Sequence, residues 1–142
     1  LYNHIECGEH YFRALAAWAL LPALQGLVYD RPHAALTFAP KLDAAAFDTV
    51  FLLPGVWGRL RQERTGHLQR NCVQIFDGRL SLRRLTLSLA TRMQSGCRVR
   101  VSRNDTHLRA TADVTGADLQ LAFSAPCRLQ SGDTLTIEIT RR

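Results

Sequence analysis

Glu6, His10 and Arg13 lie four and three residues apart, so on a helix they share one stripe that continues to Ala17. A carboxylate, an imidazole and a guanidinium on one line can move a proton or grip a polar ligand. The same residues also have a structural use. Glu6 and Glu9 in a first turn complement the helix dipole, His10 can sit satisfied at an interface, and Arg13 can pair with Glu9 one turn back. Spacing leaves both readings open.

Two further sets come from the second half of the chain. Arg59 with Arg61, and Arg98 with Arg100, each share one face of an alternating segment. Such a face suits an anionic ligand; it equally suits solvent outside a sheet whose inner side holds Leu60, Val99 and Val101. Cys7, Cys72, Cys97 and Cys127 stand far apart, with neither a C-x-x-C pair nor zinc-ligand spacing. No metal site and no cofactor is expected from them; buried thiols are, with two disulfides open if the protein is exported.

The elements that must position these residues change character near residue 55. From Glu6 to Gln25 the pattern is helical and rich in Ala and Leu, with Pro22 kinking or shortening the last turn and Gly26 as a C-terminal stop. Between Phe12 and Leu24 the only charge is Arg13, which predicts a helix buried all round. Its cover would come from other helices in an N-terminal portion preceding Leu1, so the chain reads as a fragment. Asp30-Arg31-Pro32 reads as a turn between short extended pieces, and Asp43 as the cap of a helical turn carrying Phe47, Val50 and Phe51. Pro54-Gly55 closes that unit.

From Trp57 onward the period falls to two. "GRLRQER", "LQRNCVQIF", "RLSLRRLTLSL", "CRVRVSR", "HLRATADV", "DLQLAFS" and "TLTIEIT" read as strands. The joints between them include Asp77-Gly78, Asn104-Asp105, Thr115-Gly116 and Ser131-Gly132-Asp133. Strands at this spacing predict an antiparallel sandwich.

Composition narrows the partners. The 142 residues can bury one core, and the net charge of +6 comes from seventeen arginines and Lys41. These are scattered and lack an aromatic-basic signature, so no nucleic-acid partner is expected. Arg13 and Pro22 bound the best apolar run, so no membrane span is expected either and the chain reads as soluble, with the cytoplasm favoured.

The run Asn3-His4-Ile5-Glu6-Cys7-Gly8-Glu9-His10-Tyr11-Phe12-Arg13-Ala14-Leu15-Ala16-Ala17-Trp18 resembles the N-E-I-E-C-G-x-H-Y-x-R-A-M-A-S-W segment of bacterial proteins related to glycoside hydrolase family 116, the β-glucosidase and non-lysosomal glucosylceramidase group. The continuation "QGLVYDRPHAALTFAPKLDAAAFDTVF" also resembles theirs, and together the two cover about residues 2 to 63. The resemblance implies a helix near the end of an (α/α)6 barrel and retaining hydrolysis of β-glycosides, with both catalytic carboxylates upstream of this segment. It implies that Arg13 holds sugar hydroxyls, and that His4 stands where the family has an acid. A carboxylate accepts several hydrogen bonds where a neutral imidazole offers one donor and one acceptor.

The expected architecture is therefore α+β: residues 1–55 end a helical-barrel catalytic domain and residues 56–142 form an antiparallel β appendage. The expected substrate-binding residues are Arg13, His4, Glu6 and His10, none of them catalytic. The partners are a β-glycoside or oligosaccharide and the missing N-terminal domains of the same protein. The chain alone is expected to be inactive. The rival function is a non-catalytic β-sandwich module that binds carbohydrate or protein, and a purely structural tail is the third.

Overall fold

The structure, a computed structural model, describes residues 16–94 and 96–141. It overturns the α+β expectation, because the described residues are nearly all β. A short helix, α1 (Leu20–Gln25), precedes β1 (Val28–Asp30), β2 (Ala35–Phe38), β3 (Ala46–Leu53), β4 (Val56–Arg64) and β5 (Leu68–Ser88). A 3-10 turn (Thr91–Met93) leads to β6 (Cys97–Arg103), β7 (Thr106–His107), β8 (Ala110–Thr115), β9 (Asp118–Gln130) and β10 (Thr134–Arg141). Residues 28–53, read above as the end of a helical barrel, thus supply three strands. The turn at Pro54-Gly55 is a hairpin joining β3 to β4 in one sheet.

α1 is too short and too exposed to be a barrel helix. Helical hydrogen bonding is interrupted at Trp18 and Ala19, where Pro22 lacks the N–H that would reach the Trp18 carbonyl. Trp18 is 74% exposed and Leu20 60%, so this stretch is not buried on all sides by the described residues. Gly26 does end the helix: at φ 55° its N–H donates to Ala23 O, and the Leu27 N–H donates to Pro22 O. That pair of bonds is the Schellman arrangement. Gln25 docks the helix on β3, its Nε2 donating to Thr49 Oγ1 at 2.9 Å and to the Val50 carbonyl.

β5 organises the rest. Its 21 residues would run about 70 Å if straight, more than a domain of this size can hold. It bends instead, where Phe76 bulges opposite the Trp57/Gly58 step and Gly78 takes φ 92°. Its first half lies in a front sheet of order β3-β4-β5-β10-β6-β7, and its second half in a back sheet of order β1-β2-β5-β9-β8. Asp77-Gly78, predicted to be a turn between strands, is the corner of one strand. β2 runs parallel to β5, so the sheet is mixed where an all-antiparallel arrangement was expected.

The two sheets close on one apolar core. Leu60, Val73, Ile75, Leu135, Ile137 and Ile139 face it from the front; Leu82, Leu85, Leu87, Leu119 and Leu121 face it from the back. Phe38 and Phe51 join the layers, ring centroids 5.7 Å apart at 61°. Phe51 and Phe47 belong to β3, so the helical turn predicted after Asp43 is a strand. Phe47, Thr49, Phe51 and Leu53 alternate inward where the Ala-rich lead-in had suggested a helix.

One end of the core is polar and satisfied. Gln62, Gln69 and Asn71 are fully buried between the sheets. Gln69 donates to Asn71 Oδ1 (3.0 Å) and to Ser88 O (2.8 Å), and accepts from Arg64 Nε (3.0 Å) and the Ala90 N–H (2.9 Å). Asn71 donates to Gln62 Oε1, and Gln62 donates to Ala44 O, both at 2.8 Å. The network ties the loops at 44 and 88–90 to the strands, the condition under which buried amides are tolerated.

Candidate functional site

The outer face of the front sheet carries chemistry that the strands place in rows. Because β4 pairs with β3 and β5, and β5 with β10, the register sets Asp48, Arg61, Cys72 and Thr136 in one line. Val50, Arg59, Gln74 and Thr134 form the next line. Leu52 and Trp57 are opposite one another in the line beyond, beside the bulged Phe76. Trp57 and Phe76 meet edge to face, centroids 5.0 Å apart and planes at 72°. They remain 43% and 37% exposed, held by each other while much of both rings is open to solvent.

Charges beside the rings are fixed. Asp48 accepts from Arg59 Nε at 2.6 Å and Nη2 at 2.5 Å, and from Arg61 Nε and Nη2 at 3.4 Å. The Arg59 hydrogen bond, helped by both positive charges, holds the Asp48 carboxyl below its ordinary value and raises Arg59. Arg70 donates to Glu138 Oε1 at 2.6 Å. A depression of about 100 Å³ lies between Arg59, Arg61, Cys72 and Gln74. A second, of about 360 Å³, adjoins it at Cys72 and is lined by Arg70, Arg100, Ser102 and Thr136 among others.

The face therefore offers two aromatic rings and a track of donors and acceptors. Two of its carboxylates, Asp48 and Glu138, are tied into ion pairs. Among the described residues no group of three or more His, Cys, Asp or Glu could hold a metal ion, and no helix is long and apolar enough to cross a membrane.

His4, Glu6, His10 and Arg13 lie outside the described residues. The arginine pairs fall as their alternation predicts: Arg59 and Arg61 point outward with Leu60 buried between them, and Arg98 and Arg100 are exposed beside buried Val101. In the sequence Trp57 opens the alternating region and Phe76 ends the run "LQRNCVQIF", with no spacing that joins them. The alternation that groups Arg59 with Arg61 reaches Trp57 two residues earlier, and that was the available signal. Phe123, in the run "DLQLAFS", faces the core instead.

No family model matches the chain and no curated protein matches it. The resemblance to glycoside hydrolase family 116 therefore has no support from these comparisons. Among solved structures the chain is similar to the α-L-rhamnosidase from Dictyoglumus thermophilum, at 10% identity and a TM-score of 0.46, over 83% of this chain and 12% of that one. So slight a likeness assigns neither family nor activity, and the chain spans only about an eighth of that protein's length.

Proposed function

We propose that this chain is a non-catalytic β-sandwich module that binds carbohydrate on the outer face of its front sheet. The exposed Trp57–Phe76 pair at the end of a polar track carries the reading. A sugar ring has apolar C–H faces and an equatorial rim of hydroxyls, so it needs an aromatic surface with hydrogen-bonding groups at its edge. Gln74, Arg59 and Arg61 supply those groups beside the rings. The Asp48 pairing holds the guanidiniums in place before a ligand arrives, which lowers the ordering cost of binding.

Affinity electrophoresis of the whole chain in gels containing β-glucan, xylan or galacturonan tests this. Retardation by at least one polysaccharide is expected, weakened about tenfold or more by Trp57→Ala, as for a central aromatic anchor. Equal mobility of the two proteins in every gel would remove the site.

A protein-binding use of the same face is favoured by exposed Val50 and Leu52 beside the rings. Retardation separates the two readings: a sugar-binding face is retarded by polysaccharide and remains so in Leu52→Ser, whereas a protein-binding face is retarded by none.

A further inference from the structure

A second cleft, of about 660 Å³, opens beside the turn between β9 and β10. Three strands each send an arginine to it: Arg79 from β5, Arg103 from β6 and Arg128 from β9. Arg103 Nη1 donates to the Arg128 carbonyl at 2.9 Å, which anchors one guanidinium against the strand that bears another. Ser81 and Gln130 also line the cleft.

Its acid is already committed. Asp133 Oδ1 accepts from Asn104 Nδ2 at 2.6 Å and Oδ2 from the Gln130 N–H at 2.9 Å, so both oxygens close turns. Among the described residues the side chains of Arg79 and Arg128 make neither a hydrogen bond nor an ion pair. The front-face arginines behave differently, Arg59 pairing with Asp48 and Arg70 with Glu138. A depression of about 490 Å³ next to the cleft shares Arg103 and Arg128 and adds Arg109, extending the positive surface.

Three guanidiniums share the cleft with the single carboxylate of Asp133, whose charge acts on Arg103; the excess positive charge repels itself, and an anion that bridges the arginines lowers that cost. Guanidinium groups present paired N–H donors that match the edges of a tetrahedral oxyanion. A single carboxylate has too few oxygens for three such forks; a phosphate or sulfate group has enough. The volume lies in the range of small-molecule sites and exceeds what a bare oxyanion fills. We propose that this cleft binds the phosphate or sulfate ester of a small molecule, the oxyanion on Arg79, Arg103 and Arg128 and the remainder toward Ser81 and Gln130. The site is separate from the aromatic face and does not depend on it.

Isothermal titration of the whole chain tests the cleft with four probes at constant ionic strength: inorganic phosphate, inorganic sulfate, glucose 6-phosphate and glucose 6-sulfate. Saturable one-to-one binding of an ester, tighter than its inorganic ion, is expected, and the stronger ester names the source. The double variant Arg79→Gln, Arg128→Gln should lose affinity about tenfold or more with a thermal midpoint no lower than the parent's, while Trp57→Ala binds as the parent does. Heats that chloride reproduces, or a folded double variant that binds as well as the parent, would overturn the proposal.

Discussion

Gly78 and Gly55 meet where β5 leaves the front sheet for the back one: a Cβ on Gly78 would stand 2.1 Å from the Gly55 carbonyl oxygen. With φ 92° as well, the position demands glycine on two counts. The hairpin β3–β4 can abut the bend only because Gly78 lacks a side chain; a Cβ on Gly55 would meet open space.

Gly78→Ala should therefore cost more than strain alone. Gly132 has a similar φ of 88° but open space around it, so Gly132→Ala should lose about 1 kcal/mol and Gly78→Ala about 3 kcal/mol or more. Urea unfolding at matched slopes reads both. Equal losses would mean that the close approach at the corner does not constrain the fold.

The buried amides make a second prediction. Gln69→Leu keeps the volume but strips the partner from the Ala90 N–H, from Arg64 Nε and from Asn71 Oδ1. Stranding such groups costs about 1–3 kcal/mol each, less where water can enter, so a net loss of about 2–4 kcal/mol is expected. Gln120→Leu, on an exposed position of β9, should stay within about 0.5 kcal/mol of the parent. A mild Gln69→Leu variant would show that the network is not integral to the core.

Much of the β-sheet was legible, and the reasons for the rest are local. The alternation of "TLTIEIT" and "CRVRVSR" gave β10 and β6 with their inner and outer faces. Asp77-Gly78 looked like a hairpin turn because the dipeptide serves equally for a corner, and only pairing of β5 with partners in two sheets distinguishes them. Asp48 escaped notice because the alanines before it suggested a helix, hiding the strand that brings it to Arg59. Arg79, Arg103 and Arg128 share no local pattern. Their meeting depends on how β5, β6 and β9 are arranged in space, which no short window contains.

Asp48 gives a pH prediction with a definite sign. Arg59 stabilises its ionised form, so the folded carboxyl titrates below the ordinary 3.8. A carboxyl depressed on folding contributes stability above its unfolded pKa and loses it as pH falls through the folded value. A carbon-detected NMR titration should place the Asp48 midpoint below 3.8, and Arg59→Gln should move it upward. The pair is exposed, so the accompanying change in stability should be small and diminish with salt. A midpoint indifferent to Arg59→Gln would contradict the pairing.

Cys127 contrasts with Cys72 in the same chain. Cys127 faces the core, and burial, opposed by the Arg103 charge, pushes its thiol up to about 11. Cys72 lies half-buried on the outer face of the front sheet, its sulfur 3.9 Å from Thr136 Oγ1. Alkylation requires an accessible thiolate, so native Cys127 should react with iodoacetamide at pH 8 many times more slowly than Cys72, and urea should abolish the difference. Peptide mapping of a timed reaction resolves the two. The same shift has a linkage consequence: a thiol raised on folding adds stability below the unfolded value near 9.0, and that contribution disappears as pH climbs toward about 11. Native labelling of Cys127 as fast as Cys72 would place it outside the apolar interior.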